Sequence, residues 1–364
     1  MDKKLRIIGI IAAVAASVII ISLPSNPIVI PGPITNSTVT KSVEIVATNL
    51  QKPWSIDFSD DRIFFTEKVG RIRVIDSGVL IEEPVANLRV ADVIDGGLLG
   101  LTLHPNFADN HYLYVFYTYE EDDKLWNKVM RITESENKLM EALVILDKIP
   151  GAEFDNGGVI KFGPDGKLYV ATGDATNPHA AQDLQSLSGK ILRLNDDGTI
   201  PSDNPFHNLP VFSYGHRNPQ GMAWDKSGNL YVTEHGPTKD DELNLVKAGQ
   251  NFGWPDQQCL GPEEFVDALV CYNLSLEPAG IVFYSSDKLD LGNDLIMAAL
   301  RGAALYQLTI EDGVIISEKS ILGGLGRIRD VNEGPDGYLY ILTGNTDGRG
   351  FPDKTDDKLL RIVK

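Results

Sequence analysis

One phrase returns six times along the chain: a tight turn, a short β-rich run, then a small polar cluster. It is clearest in FGPDGKLYVATGD (162–174), WDKSGNLYVTEHG (224–236) and EGPDGYLYILTGN (333–345). Looser copies are FSDDRIFFTEKVG (58–70), HPNFADNHYLYVFYT (104–118) and YSSDKLDLGNDLIMAALRG (284–302). The Asp-Gly and Ser-Gly dipeptides supply the positive φ angles of hairpin turns. The runs that follow are β-branched and aromatic, as strands prefer. Each is followed by a second run: GRIRVID (70–76), KVMRIT (128–133), GKILRLN (189–195), DELNLV (241–246), ALYQLTI (304–310) and DKLLRIVK (357–364). The two runs make the middle of an antiparallel blade.

The copies stand roughly 45–65 residues apart, a propeller period lengthened by loops. No long helix-period segment follows residue 24, which argues against a barrel of alternating strands and helices, and a sandwich would not explain the period. The spacing predicts an all-β fold: a six-bladed β-propeller with four-stranded antiparallel blades over residues 42–364. The chain ends inside a strand (358–363), and KSVEIVATNL (41–50) precedes the first copy. Pairing these two would close the ring and remove its open edges.

The N-terminus reads differently. Lys3, Lys4 and Arg6 precede an almost unbroken apolar run over 7–23. Residues 1–23 therefore read as a signal anchor or signal peptide in the form of one apolar helix. The basic end would stay cytoplasmic and place the rest outside, so the expected location is extracytoplasmic, membrane-anchored or secreted, with the membrane touched only through this segment. Residues 24–41, rich in Pro, Ser, Thr and Asn, read as a flexible linker. The two cysteines, Cys259 and Cys271, would close a short loop in an oxidising compartment and remain free thiols otherwise. A formal net charge of −18 argues against nucleic acid and against anionic headgroups, leaving a small neutral or cationic ligand as the easier partner.

Two polar segments flank one predicted blade, SYGHRNPQGMAWD (213–225) and TEHGPTKDDELN (233–244), so both are expected on one face. Arg217 beside Asn218 could clamp a carboxylate or carbonyl-rich ligand, or pair with a structural Asp. His235 could ligate, hydrogen-bond or simply be structural. Asp240, Asp241 and Glu242 offer calcium oxygens or a solvated acidic turn. Arg327 and Arg329 alternate with Ile328, which on a strand would turn both guanidinium groups to one side, toward an anion or toward cross-strand carboxylates.

Several long phrases occur together and in order: GGLLGLTLHPNF (96–107), NGGVIKFGPDGKLYVATGDA (156–175), SGKILRLNDDGTIPSDNPF (188–206), YGHRNPQG (214–221), EHGP with DELN (234–244), NFGWP (251–255) and GRIRDVNEGPDGYLY (326–340). From about residue 43 onward the chain resembles the soluble PQQ-dependent aldose sugar dehydrogenases, the glucose/sorbosone dehydrogenase family. That resemblance implies a six-bladed propeller carrying pyrroloquinoline quinone (PQQ) and calcium. It also implies a small sugar substrate, an unidentified electron acceptor, and hydride transfer from sugar to quinone. Carried over, Asp174 would orient the base, and Arg217 and Asn218 would hold the quinone oxygens, with His235 beside them. Gly236 and Pro237 would bind calcium through their carbonyls. Arg301 stands near a cofactor lysine, and Arg327 with Arg329 matches two arginines facing the PQQ carboxylates.

One position departs from the pattern. The family's His-x-Gly-Gly base reads Asp155-Asn156-Gly157-Gly158, followed by Val159, and Phe154 replaces a polar residue. An unperturbed Asp is too weak a base, but burial and a second carboxylate raise its pKa toward working pH. The same pair could instead share a proton and leave a pocket that binds without reacting. Two other readings therefore stand beside sugar oxidation: a non-catalytic ligand-binding surface propeller, and a calcium-dependent lactonase-type hydrolase in which Asp155, Asp174 and Glu234 contribute ligands.

Overall fold

The computed structural model describes Ile28–Ile30 and residues 42–364. The expected helix over 1–23 and most of the expected linker lie outside these residues. Among the described residues no helix is long and apolar enough to cross a membrane.

Six antiparallel sheets follow one another along the chain. Blade 1 is built from Pro53–Ser59, Arg62–Glu67 and Arg71–Asp76, edged by Val79–Leu80 and Ala86–Asn87. Blade 2 comprises Leu98–Leu103, Tyr112–Glu121, Lys124–Ser135 and Lys138–Pro150. Blade 3 comprises Gly157–Phe162, Leu168–Thr172, Lys190–Leu194 and Val211–Tyr214. Blade 4 comprises Pro219–Trp224, Leu230–Glu234, Asp241–Val246 and Val270–Tyr272, with Ile28–Ile30 added in parallel at its outer edge. Blade 5 comprises Pro278–Phe283, Leu295–Ala299, Ala304–Glu311 and Val314–Gly323. Blade 6 takes Ile328–Glu333, Leu339–Thr343 and Leu359–Val363 from the end of the chain and Ser42–Ala47 from its beginning. Ser42 pairs with Val363 and Ile45 with Leu360, so the ring closes as the sequence predicts. The six predicted β-rich runs all fall on second strands, and the tight Pro-Asp-Gly turns lead into them.

The first strand of each blade lies innermost and touches the first strand of the next blade, around to blade 1 again. Side chains between blades form the core, as where Leu99, Phe116, Ile160, Val170, Met222 and Val232 share one buried cluster. Polar pins cross the seams as well. Thr66 Oγ1 donates to the Leu99 carbonyl at 2.6 Å, Thr233 Oγ1 to the Ala279 carbonyl at 2.7 Å, and Asp330 Oδ2 accepts the Ile56 N–H at 3.0 Å.

Every inner strand carries a register shift near its start: between Pro53 and Ile56, Leu98 and Leu101, Gly157 and Ile160, Pro219 and Gly221, Pro278 and Ile281, and Ile328 and Asp330. A bulge breaks side-chain alternation and re-aims the residues beside it. Six such breaks therefore sit at the end of the ring where the chain enters the inner strands. At Gly221 the next blade comes so close that a Cβ would lie 2.1 Å from the Ala279 carbonyl oxygen. Gly221→Ala is expected to push blades 4 and 5 apart at a cost of about 1–3 kcal/mol, read as a lower urea midpoint with an unchanged slope.

Candidate functional site

The entering segments of all six blades line one bowl. Its upper part, a cavity of about 340 Å³, is walled by Asp95, Phe154, Asp155, Thr176, Arg217, Asn218, His235, Gly236, Pro237, Asp241, Glu277, Arg301 and Arg349, among others. A deeper, narrower part adds Lys52, Trp54, Lys68, Gln220, Arg329 and Asp347 while sharing Asp95, Asn218, His235 and Arg349. Of the ten residues given a role through the family pattern, eight line the bowl and Asp174 stands beside it, bonded to Thr176. Arg327 does not line it.

Asp155 sits at φ +58°, a left-handed conformation, just before Gly157 at +67° and Gly158 at +106°. Non-glycine residues hold such angles only where their surroundings enforce them. Buried Asn156 does so here. Its Oδ1 accepts from Ala152 N at 3.0 Å and Asn127 Nδ2 at 3.0 Å, and its Nδ2 donates to the Ala152 carbonyl at 2.7 Å. The turn presents the Asp155 carboxylate to the bowl. Arg217 Nη2 donates to Oδ2 at 2.7 Å and Asn218 Nδ2 to Oδ1 at 3.2 Å. Asn218 is itself fixed, because its Oδ1 accepts Gln220 Nε2 at 2.9 Å and Gly157 N at 3.1 Å. Burial raises the Asp155 pKa to about 6 against the opposing pull of Arg217, and Asp174 and Asp95 push it the same way as burial.

Asp174 departs from expectation. It does not hydrogen-bond to Asp155. Its Oδ2 accepts the Trp254 indole N–H at 2.8 Å and its Oδ1 accepts Thr176 N at 2.8 Å. Its influence on Asp155 travels through charge, and through Trp254, whose ring lies 5.6 Å from the Arg217 guanidinium. Arg217 and Asn218 likewise hold Asp155, where the resemblance assigned them to quinone oxygens. The second hand of Arg217, Nη1, donates to the carbonyls of His235 (3.1 Å) and Gly236 (3.0 Å).

His235 is a donor from Nε2 to the Pro278 carbonyl at 3.0 Å. Burial first, then Arg329, Arg217 and Arg349, depress its pKa to about 3, so the ring is neutral at any working pH. Asp241 borders the upper bowl but is not part of a solvated acidic turn. It is buried and accepts Gly236 N, Leu276 N, Glu277 N and Ser275 Oγ between 2.8 and 3.1 Å. Buried Glu242 accepts Cys259 N at 2.7 Å and Asn244 Nδ2 at 3.0 Å, and Asp240 lies on the loop before it. Cys259 and Cys271 form a disulfide, with Cα atoms 5.5 Å apart.

Arg327 and Arg329 part company because the bulge between Ile328 and Asp330 interrupts the alternation on which their shared direction was inferred. Arg327 is buried against carboxylates, Glu277 at 2.9 Å and Asp347 at 2.8 Å. Arg329 reaches the deep part of the bowl. Among the described residues its guanidinium donates only to neutral Gln220, at 2.9 Å, beside the Trp54 ring at 5.7 Å. Burial and the nearby Arg327 charge lower its pKa to about 10. Lys68 stands close by, donating to the Ile94 and Val93 carbonyls at 2.7 and 3.2 Å, and burial with the Arg329 charge lowers its pKa to about 8. Asp95 and Asp347 also line this part of the bowl, but neither Arg329 nor Lys68 makes a direct ion pair among the described residues, which leaves both cations available to an anion.

Sequence reasoning missed Lys52, Lys68, Asp95, Glu277 and Arg349, and placed Gln220 in the polar segment 213–225 without a role. Their common signal is place: each precedes or opens an inner strand, or follows a second strand, at the end where the register shifts fall. Arg349 Nη2 meets Asp95 at 3.3 Å across the bowl. A buried chain beneath Arg217 was also missed. Ser213 Oγ lies 2.8 Å from His216 Nε2, and His216 Nδ1 lies 2.9 Å from Glu234 Oε2. The other oxygen of Glu234 accepts the Arg217 backbone N–H. Stripping this carboxylate orphans two donors, so Glu234→Ala is expected to cost about 2–6 kcal/mol in a denaturant titration, from roughly 1–3 per orphaned group.

Fold and site together define the class, a six-bladed β-propeller with a polar bowl at one end of its axis. The family model for glucose/sorbosone dehydrogenase matches residues 50–361, and the chain belongs to that family. Aldose sugar dehydrogenase YliI of Escherichia coli is 32% identical, over 85% of this chain and 91% of its own length. Quinoprotein glucose dehydrogenase B of Acinetobacter calcoaceticus is 34% identical, over 58% of this chain and 52% of its own. The PQQ-bound aldose sugar dehydrogenase of Streptomyces coelicolor has a TM-score of 0.80 and 33% identity, covering 89% of this chain and 98% of that one.

Proposed function

We propose that this protein oxidises an aldose sugar or a related hydroxyl compound with PQQ, taking the hydroxyl proton on Asp155. The observation that carries the reading is the pairing of two features in one bowl: a carboxylate raised to about 6 at its wall and the unmatched Arg329 with Lys68 at its floor.

The donor set fits PQQ. A planar tricarboxylate needs guanidinium and ammonium partners, and Arg329, Lys68, Lys52 and Arg349 all line the deep part of the bowl. Arg301 stands on the wall above. Arg327 serves the same anion indirectly, by holding Glu277 and Asp347 in place. For calcium, the Gly236 carbonyl faces the bowl but accepts the Arg217 guanidinium. Gly236 and Pro237 would hold calcium through their carbonyls only in place of that guanidinium contact, with further oxygens completing its shell. PQQ when bound supplies the acceptor for the two electrons of the sugar C–H bond, its carbonyl polarised by calcium.

The chain's own residues supply the proton chemistry. Asp155 is ionised above about pH 6 and stands on the bowl wall, whereas His235 is held neutral with its pKa at about 3 and Asp174 does not line the bowl. Arg217 and Asn218 hold the carboxylate at a fixed angle and stabilise the charged form until the proton arrives. As the C=O bond forms, the C–H hydrogen would leave with its electron pair to the quinone and the O–H hydrogen would leave as a proton to Asp155. The Cys259–Cys271 disulfide supports an oxidising, extracytoplasmic setting.

The test is reconstitution of the full chain with PQQ and calcium, followed by dye reduction over a panel of aldoses. Asp155→Asn is expected to keep PQQ absorbance and lose about 10²–10⁴-fold in kcat. Quinone binding with no turnover of any sugar would favour a binding propeller instead. Because protonation of Asp155 removes the base, kcat/KM should fall as pH drops through about 6, and the acid limb should vanish from the residual rate of Asp155→Asn. The two arginines should separate: Arg329→Ala weakens PQQ uptake at least about tenfold with little change in folding, whereas Arg327→Ala lowers the unfolding midpoint because Glu277 and Asp347 lose their partner.

A further inference from the structure

Beyond the bowl, a second cleft of about 900 Å³ runs outward between blades 4 and 5, against about 340 Å³ for the upper bowl. The two share a wall at Thr238, Ser275 and Arg301. The cleft is therefore an extension of the bowl, and one sugar ring seated beside Asp155 would leave it empty. Its chemistry differs from the rest of the surface. The chain carries 51 acidic against 33 basic residues, yet no carboxylate lines this cleft, while Lys239 and Arg301 do. Arg301 makes no ion pair among the described residues. Lys239 is 63% exposed and its one partner, Asp240, stands 3.6 Å away. Leu274, 60% exposed, offers an apolar patch to the C–H face of a ring, and the Thr238 and Ser275 hydroxyls offer hydrogen bonds beside it.

We infer that the cleft binds the next sugar residue of an oligosaccharide whose reducing end is oxidised in the bowl, and that this residue carries an anionic group, a carboxylate or a sulfate. The inference rests on the dehydrogenase reading and narrows its substrate class to acidic saccharides. Lys239 and Arg301 meet the anion. Leu274 packs on the ring.

The test compares kcat/KM of the reconstituted protein on glucose, cellobiose, glucuronosyl-glucose and a sulfated cellobiose. Exposed charge pairs of this kind support a preference of about fivefold for the acidic disaccharides over cellobiose, fading at high salt. The uronate and sulfate arms show which anion is preferred. Lys239→Gln should erase the preference and leave glucose unchanged. Gly323 borders the cleft, and a Cβ there would meet nothing nearer than the Ala303 carbonyl oxygen at 3.9 Å. Gly323→Phe should therefore fill the cleft, lowering kcat/KM for every disaccharide and sparing glucose. Equal rates on acidic and neutral disaccharides, or a preference that survives Lys239→Gln, would overturn the inference. If glucose itself is not oxidised, the dehydrogenase reading fails separately. Calorimetric titration of the same disaccharides then decides the cleft alone: tighter binding of the acidic ones upholds it, equal binding refutes it.

Discussion

The pairing of Ser42–Ala47 with Leu359–Val363 holds the architecture together. A propeller has no core at its axis. Each blade buries its faces only against its two neighbours, so the ring stands when every seam is filled and the first blade meets the last. Closing the last blade with Ser42–Ala47 as its outermost strand makes the two ends of the propeller region hydrogen-bonded partners and covers the edge of Leu359–Val363. The seam between blades 6 and 1 then carries its own polar pin, Asp330 to the Ile56 N–H at 3.0 Å.

Closure determines where chemistry can occur. Six inner strands converge on the axis, and the segments entering them can reach one another only at one end. The register shifts at that end free side chains from strict alternation, which lets Asp155, Asn218, Gln220 and Arg329 address a common space from three different blades. Packing supplies the electrostatics. Asp155 is driven up to about 6 chiefly by burial. His235 is driven down to about 3 by burial beneath three guanidinium groups. Burial thus moves the two groups in opposite directions, the carboxylate up and the imidazole down, while the guanidinium charges lower both.

Arg217 is the hinge of this arrangement. It reaches Asp155 with one nitrogen and the His235 and Gly236 carbonyls with the other, while its backbone is anchored through Glu234 to buried His216 and Ser213. One side chain therefore couples the carboxylate proposed as proton acceptor to the carbonyls proposed for calcium. That coupling explains how an aspartate can occupy a position where the family pattern places a histidine: the neighbouring guanidinium orients and restrains a charge that a neutral ring would not carry.

The amino-acid sequence determined the blade count, the hairpins and the closing strand, because turn dipeptides and two-residue periodicity are local properties read directly from residue order. It also brought together Asp155, Arg217, Asn218, His235 and Gly236, through long phrases shared with a family. It misplaced the partner of Asp174 and the direction of Arg327. Those depend on a bulge between Ile328 and Asp330 and on Trp254, Glu277 and Asp347 arriving from other segments. Lys68, Arg349 and the cleft at Lys239 were invisible for the same reason. Which charges face one another across a ring of six blades is settled by seams between residues tens to hundreds of positions apart, and only the closed tertiary structure contains those distances.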